Sequence, residues 1–188
     1  MKKILIFASG SGTNAQNIIE YFNRLVEIKV SLVFSNKKEA KVLERAKKLG
    51  VETVVFSKDD LYNNNRVMNL IEKEQPDLIV LAGFLWLIPT SLIKNYPDKI
   101  VNIHPALLPK YGGKGMYGMN VHRAVIENNE VESGITIHYV NEKYDEGDII
   151  FQASCLVESN DTPELLAQRI HTLEHQHFPA VIEKLINS

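Results

Sequence analysis

Strand-like and helix-like segments alternate from the start of this chain, and few folds accommodate that order. Lys3-Ile4-Leu5-Ile6-Phe7 is a short apolar run that ends at a glycine turn. Asn14–Val26 follows with Ala15, Ile18, Ile19, Tyr21, Phe22 and Leu25 at helical spacing. Val30–Phe34 reads as a second strand, stopped by Ser35-Asn36. Ala40–Leu49 reads as a helix closed by Gly50, Val51–Phe56 as a third strand, and Asp59–Glu74 as a helix ended before Pro76. Leu78–Ala82 is apolar at every position, as expected of a strand buried on both faces. The pattern predicts an α/β fold: a mostly parallel twisted sheet with helices on both faces and a Rossmann-like mononucleotide-binding first half. Ligands of such sheets sit beyond the carboxyl ends of the strands.

The second half changes character. Lys99-Ile100-Val101 reads as a strand that stops at a polar pair, and Pro105 forbids its continuation. Gly112–Gly118 is glycine-rich, and Val121–Asn128 reads as a short helix. Gly134–Val140 and Asp148–Val157 are spaced as an antiparallel pair around a loop. Thr162-Pro163 has the form of an N-cap with proline in the first helical position, opening a terminal helix that runs to about Ile186.

At 188 residues the chain fits a single domain. We divide it into a phosphate-binding half, 1–100, and a second half, 101–188, that carries the chemistry. The 21 basic and 23 acidic residues leave a net charge of −2, which argues against a nucleic-acid partner. The lone Cys155 rules out an internal disulfide. The N-terminal apolar run is too short for a signal peptide, and no stretch approaches the roughly 20 residues of a membrane helix. The expectation is a soluble cytoplasmic protein without a membrane partner, either monomer or homodimer.

Ser9-Gly10-Ser11-Gly12-Thr13-Asn14 joins the first strand to the first helix. Backbone N–H groups and the positive end of the helix dipole converge there, and phosphate binds well at such a point. With Ala15 the string also fits the dinucleotide fingerprint G-x-G-x-x-A. A dinucleotide site wants an acidic residue after the second strand, whereas this chain has Ser35-Asn36-Lys37-Lys38. We therefore expect a mononucleotide phosphate here.

Asn102 and His104 are two residues apart, so on extended backbone their side chains leave the same face. An amide donor beside an imidazole suits a reacting carbonyl, and Asp145-Glu146-Gly147-Asp148 offers carboxylates on a predicted loop. Asn, His and Asp suffice for acyl-group transfer without a metal or a covalent enzyme intermediate.

Asn102-Ile103-His104-Pro105-Ala106-Leu107-Leu108-Pro109 resembles the signature of the formyltetrahydrofolate-dependent formyltransferases. Ser9–Asn14, Phe34-Ser35-Asn36, Leu81-Ala82-Gly83-Phe84, Asp145-x-Gly147 and Glu174-His175 occur in the family's order, so the likeness covers nearly the whole chain. It implies transfer of the formyl group of 10-formyltetrahydrofolate to the amine of glycinamide ribonucleotide, in purine synthesis. Relatives acting on methionyl-tRNA, and the deformylase relatives, look longer.

The resemblance implies catalytic roles for Asn102, His104 and Asp145. It implies substrate binding by Ser11, Gly12, Thr13, Asn14 and Glu174. The folate would lie between Leu85, Trp86, Leu87 and Ile88 on one side and Val140, Asn141, Glu142 and Tyr144 on the other. Gly113–Asn120 looks several residues longer than the family's usual loop, either as a flap over the ligand or as a surface loop.

Two other readings stay open at this stage: hydrolysis of formyltetrahydrofolate, and a non-catalytic nucleotide- or folate-binding module. His138, on an apolar strand, reads as a satisfied core histidine or a supporting one. His171 and His175 share a helical face, but no third ligand is evident and we expect no metal. Arg66 reads as a solvated helix arginine.

Overall fold

The computed structural model describes residues Met1–Ser188. Seven strands form one sheet in the order β3-β2-β1-β4-β5-β6-β7. The parallel part comprises β1 (Lys2–Phe7), β2 (Ile28–Ser35), β3 (Glu52–Val55), β4 (Leu78–Leu81) and β5 (Ile100–His104). Two antiparallel strands extend it, β6 (Glu132–Tyr139) beside β5 and β7 (Ile149–Leu156) at the edge. The helices are α1 (Thr13–Phe22), α2 (Lys41–Lys48), α3 (Lys58–Tyr62), α4 (Arg66–Glu74), α5 (Thr90–Asn95), α6 (Met119–Glu127) and α7 (Pro163–Asn187).

Strand alternation sorts the apolar side chains into two layers. On one face Ile4, Ile6, Val30, Val80, Val101 and Ile103 pack against α1, α2, α6 and α7. On the other Leu5, Phe7, Phe34, Ile79 and Leu81 pack against Leu61 of α3, Ile71 of α4 and Leu92 of α5. This is the expected architecture. No helix is long and apolar enough to cross a membrane.

Three local expectations were off. The single helix expected over 59–74 is two helices, α3 and α4, because Asn65 adopts a left-handed conformation (φ 60°). Asn63 and Asn64 side chains bond to Asp59 and Asp60 in that break, an alternative to the helical ladder. Helix α5 went unread because six residues with one buried position, Leu92, carry no measurable period. Finally, β5 does not stop at its polar pair. Pairing with β6 carries it through Asn102 and His104, opposite His138 and Thr136. The Thr162 cap is present, its hydroxyl accepting from Leu165 N–H at 3.3 Å.

Candidate active site

Strand β5 projects Asn102 and His104 from one face while Val101 and Ile103 fill the core on the other. His104 is buried, 3% exposed. Its Nε2–H donates to the Tyr111 carbonyl at 2.7 Å, which leaves Nδ1 facing Asp145 Oδ2 at 3.5 Å. Burial pushes the His104 pKa below the usual histidine value, more than the neighbouring Asp145 charge and the Tyr111 carbonyl push it up. Burial thus favours the neutral ring, in which Nε2 carries the proton given to Tyr111 and Nδ1 is bare.

Asp145 sits on the β6–β7 loop with φ 56°. The Gly113 N–H donates to its Oδ2 at 2.9 Å. Burial opposes ionisation, but the polar neighbours, the Gly113 N–H among them, outweigh it and hold the carboxyl below its usual pKa. Asn102 Nδ2 donates to His138 Nε2 at 3.1 Å and lies 3.4 Å from Asp145 Oδ1. Residues more than forty positions apart are thus brought into one hydrogen-bonding group. His122, from α6, joins its edge, buried, with its pKa lowered to about 4 by burial and by His104.

The glycine turn lies across a shared cavity of about 850 Å³. Helix α1 starts with no side-chain cap and no acidic residue in its first turn, so its N-terminal N–H groups are open to an anion. Gly12 is left-handed (φ 75°), and a Cβ there would overlap Val42. Arg45 Nε–H holds the Ser11 carbonyl at 3.0 Å. Helix α7 also lines the cavity. His171 Nε2 shares a 2.7 Å hydrogen bond with Thr13 Oγ1, and Asn14 Nδ2 donates to Glu174 Oε2 at 2.9 Å. Glu174 is 8% exposed, and burial raises its pKa more than the Asn14 bond lowers it.

A family model described as formyl transferase matches residues 2–182. The chain belongs to the formyl transferase family. It is 42% identical over 187 residues to the chloroplastic phosphoribosylglycinamide formyltransferase of Arabidopsis thaliana, an alignment covering 96% of this chain and 64% of that protein. Against the phosphoribosylglycinamide formyltransferase of Bacillus subtilis the identity is 37% over 194 residues, covering 99% of this chain and 95% of the relative. The crystal structure of the Bacillus halodurans phosphoribosylglycinamide formyltransferase superposes with a TM-score of 0.88 at 36% identity, covering 98% and 95% of the two chains. Glycinamide ribonucleotide transformylase 1 of Geobacillus kaustophilus gives 0.89 at 36% identity, with 99% of each chain covered.

In this member of the family the cavity collects Ser11, Gly12, Thr13, Asn14, Glu174, Asn102, His104 and Asp145. Of the eight residues expected around a folate, Leu85 and Tyr144 line it; Trp86, Leu87, Ile88, Val140, Asn141 and Glu142 do not. Ile88 is buried in the second core layer, and Trp86 packs edge-on to Phe56. The Gly113–Met119 loop also lines the cavity rather than lying away from it. Arg66 pairs with Asp60 at 3.2 Å.

Sequence reasoning missed the Tyr111 carbonyl, the Gly113 N–H, His171 and Lys37, which also lines the cavity. The first two are main-chain groups and leave no mark in a sequence. The signal for His171 was its position one turn before Glu174.

Proposed function

We propose that this chain transfers the formyl group of 10-formyltetrahydrofolate to the amine of glycinamide ribonucleotide, a step of purine synthesis. One observation carries the reading. Asn102, His104 and Asp145 meet in a cavity that the uncapped N-terminus of α1 also lines. A phosphate at Gly12, Thr13 and Asn14, with Ser11 beside it, would anchor the nucleotide. Glu174, facing the same space, would hold its ribose and glycinamide end. The formyl donor would enter past Leu85 and Tyr144, the two expected folate residues that line the cavity.

In the proposed reaction the amine lone pair attacks the formyl carbon, and the carbonyl π electrons move onto oxygen. Asn102 donates a hydrogen bond to that oxyanion, a contribution of about 3–4 kcal/mol when such a donor is preorganised. The attacking nitrogen becomes cationic and sheds a proton. His104 Nδ1 and the Asp145 carboxylate are the bases beside it. Protonated His104 keeps its Nε2–H on Tyr111 and presents a second N–H to the oxyanion, while Asp145 stabilises the imidazolium. The proton then passes to the folate nitrogen as the C–N bond to the formyl carbon breaks. The products are the formamide and tetrahydrofolate, and no proton is gained or lost overall.

We place this activity in one domain, with residues 1–100 holding the phosphate and 101–188 the reacting groups and folate. A continuous sheet and a shared cavity support the single domain. The Arabidopsis and Vigna relatives, of which the chain spans 64% and 61%, are named chloroplastic. Compartment therefore varies among relatives, and for this chain we propose the cytoplasm and small-molecule partners only.

The test is an absorbance assay of folate turnover with 10-formyltetrahydrofolate and a panel of amines. Turnover should require glycinamide ribonucleotide. Formate release without any amine would reassign the chain as a hydrolase, and tight binding without turnover would make it a non-catalytic module.

A further inference from the structure

His138 is buried at 2% exposure, directly opposite Asn102 in the β5–β6 ladder. Its Nδ1 lies 2.7 Å from the Tyr139 carbonyl, an acceptor with nothing to donate, so Nδ1 must carry the proton. In the neutral ring Nε2 is then an acceptor. The nearest donor is Asn102 Nδ2, at 3.1 Å, while Asp145 Oδ1 at 3.6 Å is beyond hydrogen-bond range. A side-chain amide has two nearly isosteric ends, and its orientation follows from its partners. An Nε2 acceptor selects the NH₂ end.

The surroundings enforce this tautomer. The register between β6 and β7 shifts between Ile137 and His138, an irregularity of the kind that re-aims side chains beside active sites. Gly147 lies against the Tyr139 carbonyl so closely that a Cβ would overlap its oxygen, and His138 Nδ1 would be 3.5 Å from that Cβ. The glycine of the Asp145-x-Gly147 string therefore keeps open the contact that fixes the His138 ring.

We propose that His138 is a positioning residue: held as the Nδ1–H tautomer by Tyr139, it turns the NH₂ end of Asn102 toward the reacting carbonyl. The proposal rests on the formyl-transfer reading above. Without His138 only the longer contact to Asp145 Oδ1, at 3.4 Å, still holds the NH₂ end, and the Asn102 amide is freer to turn its oxygen, an acceptor, toward an oxyanion.

A double-mutant cycle separates this role from a general structural one. His138→Leu removes the acceptor at similar volume. It should lower kcat roughly 10- to 100-fold, part of the loss from deleting an oxyanion donor outright, with KM for both substrates within about 3-fold. In an Asn102→Ala background the same change should cost less than about 3-fold, because nothing remains to be oriented. An equal loss in both backgrounds, or no loss in the first, overturns the proposal. Nitrogen NMR of the wild-type protein gives an answer that needs no variant. His138 must show a pyrrole-like Nδ1 and a pyridine-like Nε2, and the reverse pattern overturns the proposal. A wild-type chain without formyl transfer sinks the functional reading instead, and the tautomer still decides the geometry.

Discussion

Replacing Glu174 by Gln should stabilise the protein at neutral and alkaline pH while impairing its use of the ribonucleotide. Glu174 is 8% exposed, accepts one hydrogen bond, from Asn14 Nδ2 at 2.9 Å, and has no cation within ion-pair distance. Its carboxylate is therefore desolvated with little compensation, which is why its folded-state pKa is raised. For a group with a raised pKa, stability is fully present below the unfolded value, near 4.5, and lost as pH rises through the folded value. Above that window the wild type carries the cost of a buried charge. Gln removes the charge and keeps an oxygen for Asn14 Nδ2. It also brings a donor for Asn14 Oδ1, which is buried without a partner.

One neutral hydrogen bond contributes about 1 kcal/mol net, and relief of a desolvated charge adds to it. We expect the variant to gain about 1–2 kcal/mol at pH 8, or roughly 2–8 °C in Tm for a domain of this size. At pH 4 the protonated carboxyl also offers an O–H donor, so the difference should shrink toward zero. Thermal melts of both proteins across this range provide the assay. A variant that melts at or below the wild type at pH 8 would refute the account of Glu174 as a strained, functional carboxylate. On the activity side, KM for glycinamide ribonucleotide should rise with kcat less affected.

Asp145→Asn should lower kcat about 10²- to 10⁴-fold, the range for lost proton transfer, because an amide can neither take a proton nor stabilise the His104 imidazolium. The Asp145 pKa is depressed, so its stabilising contribution is present above the unfolded value near 3.8 and lost as pH falls through the folded one. The stability gap between wild type and this variant should narrow on acidification in denaturant titrations. Gly12→Ala forces a side chain onto a left-handed backbone and into Val42. It should cost about 1–3 kcal/mol of stability and raise KM for the ribonucleotide far more than for the folate, readable from paired melts and kinetics. Gly147→Ala should displace the Tyr139 carbonyl, and loss of the His138 Nδ1–H signal in NMR would report it.

The alternation of apolar runs with helical spacing, and the uninterrupted Leu78–Ala82 run, were enough to specify a parallel sheet covered on both faces. That information is local, because side-chain period follows from backbone geometry within a few residues. The glycine turn after β1 and the shared face of Asn102 and His104 were legible for the same reason. The break at Asn65 was not, since it depends on side-chain competition with the helix. Nor could the sequence alone bring Asp145 to His104, or His171 to Thr13. Those meetings follow from the chain crossing the sheet and returning antiparallel, which sets distances between residues far apart in the polymer. The Tyr111 carbonyl and the Gly113 and Tyr139 main-chain groups are chemically alike at every position. Only the tertiary structure decides which of them faces a catalytic side chain, because folding selects a backbone group by its place and not by its residue type.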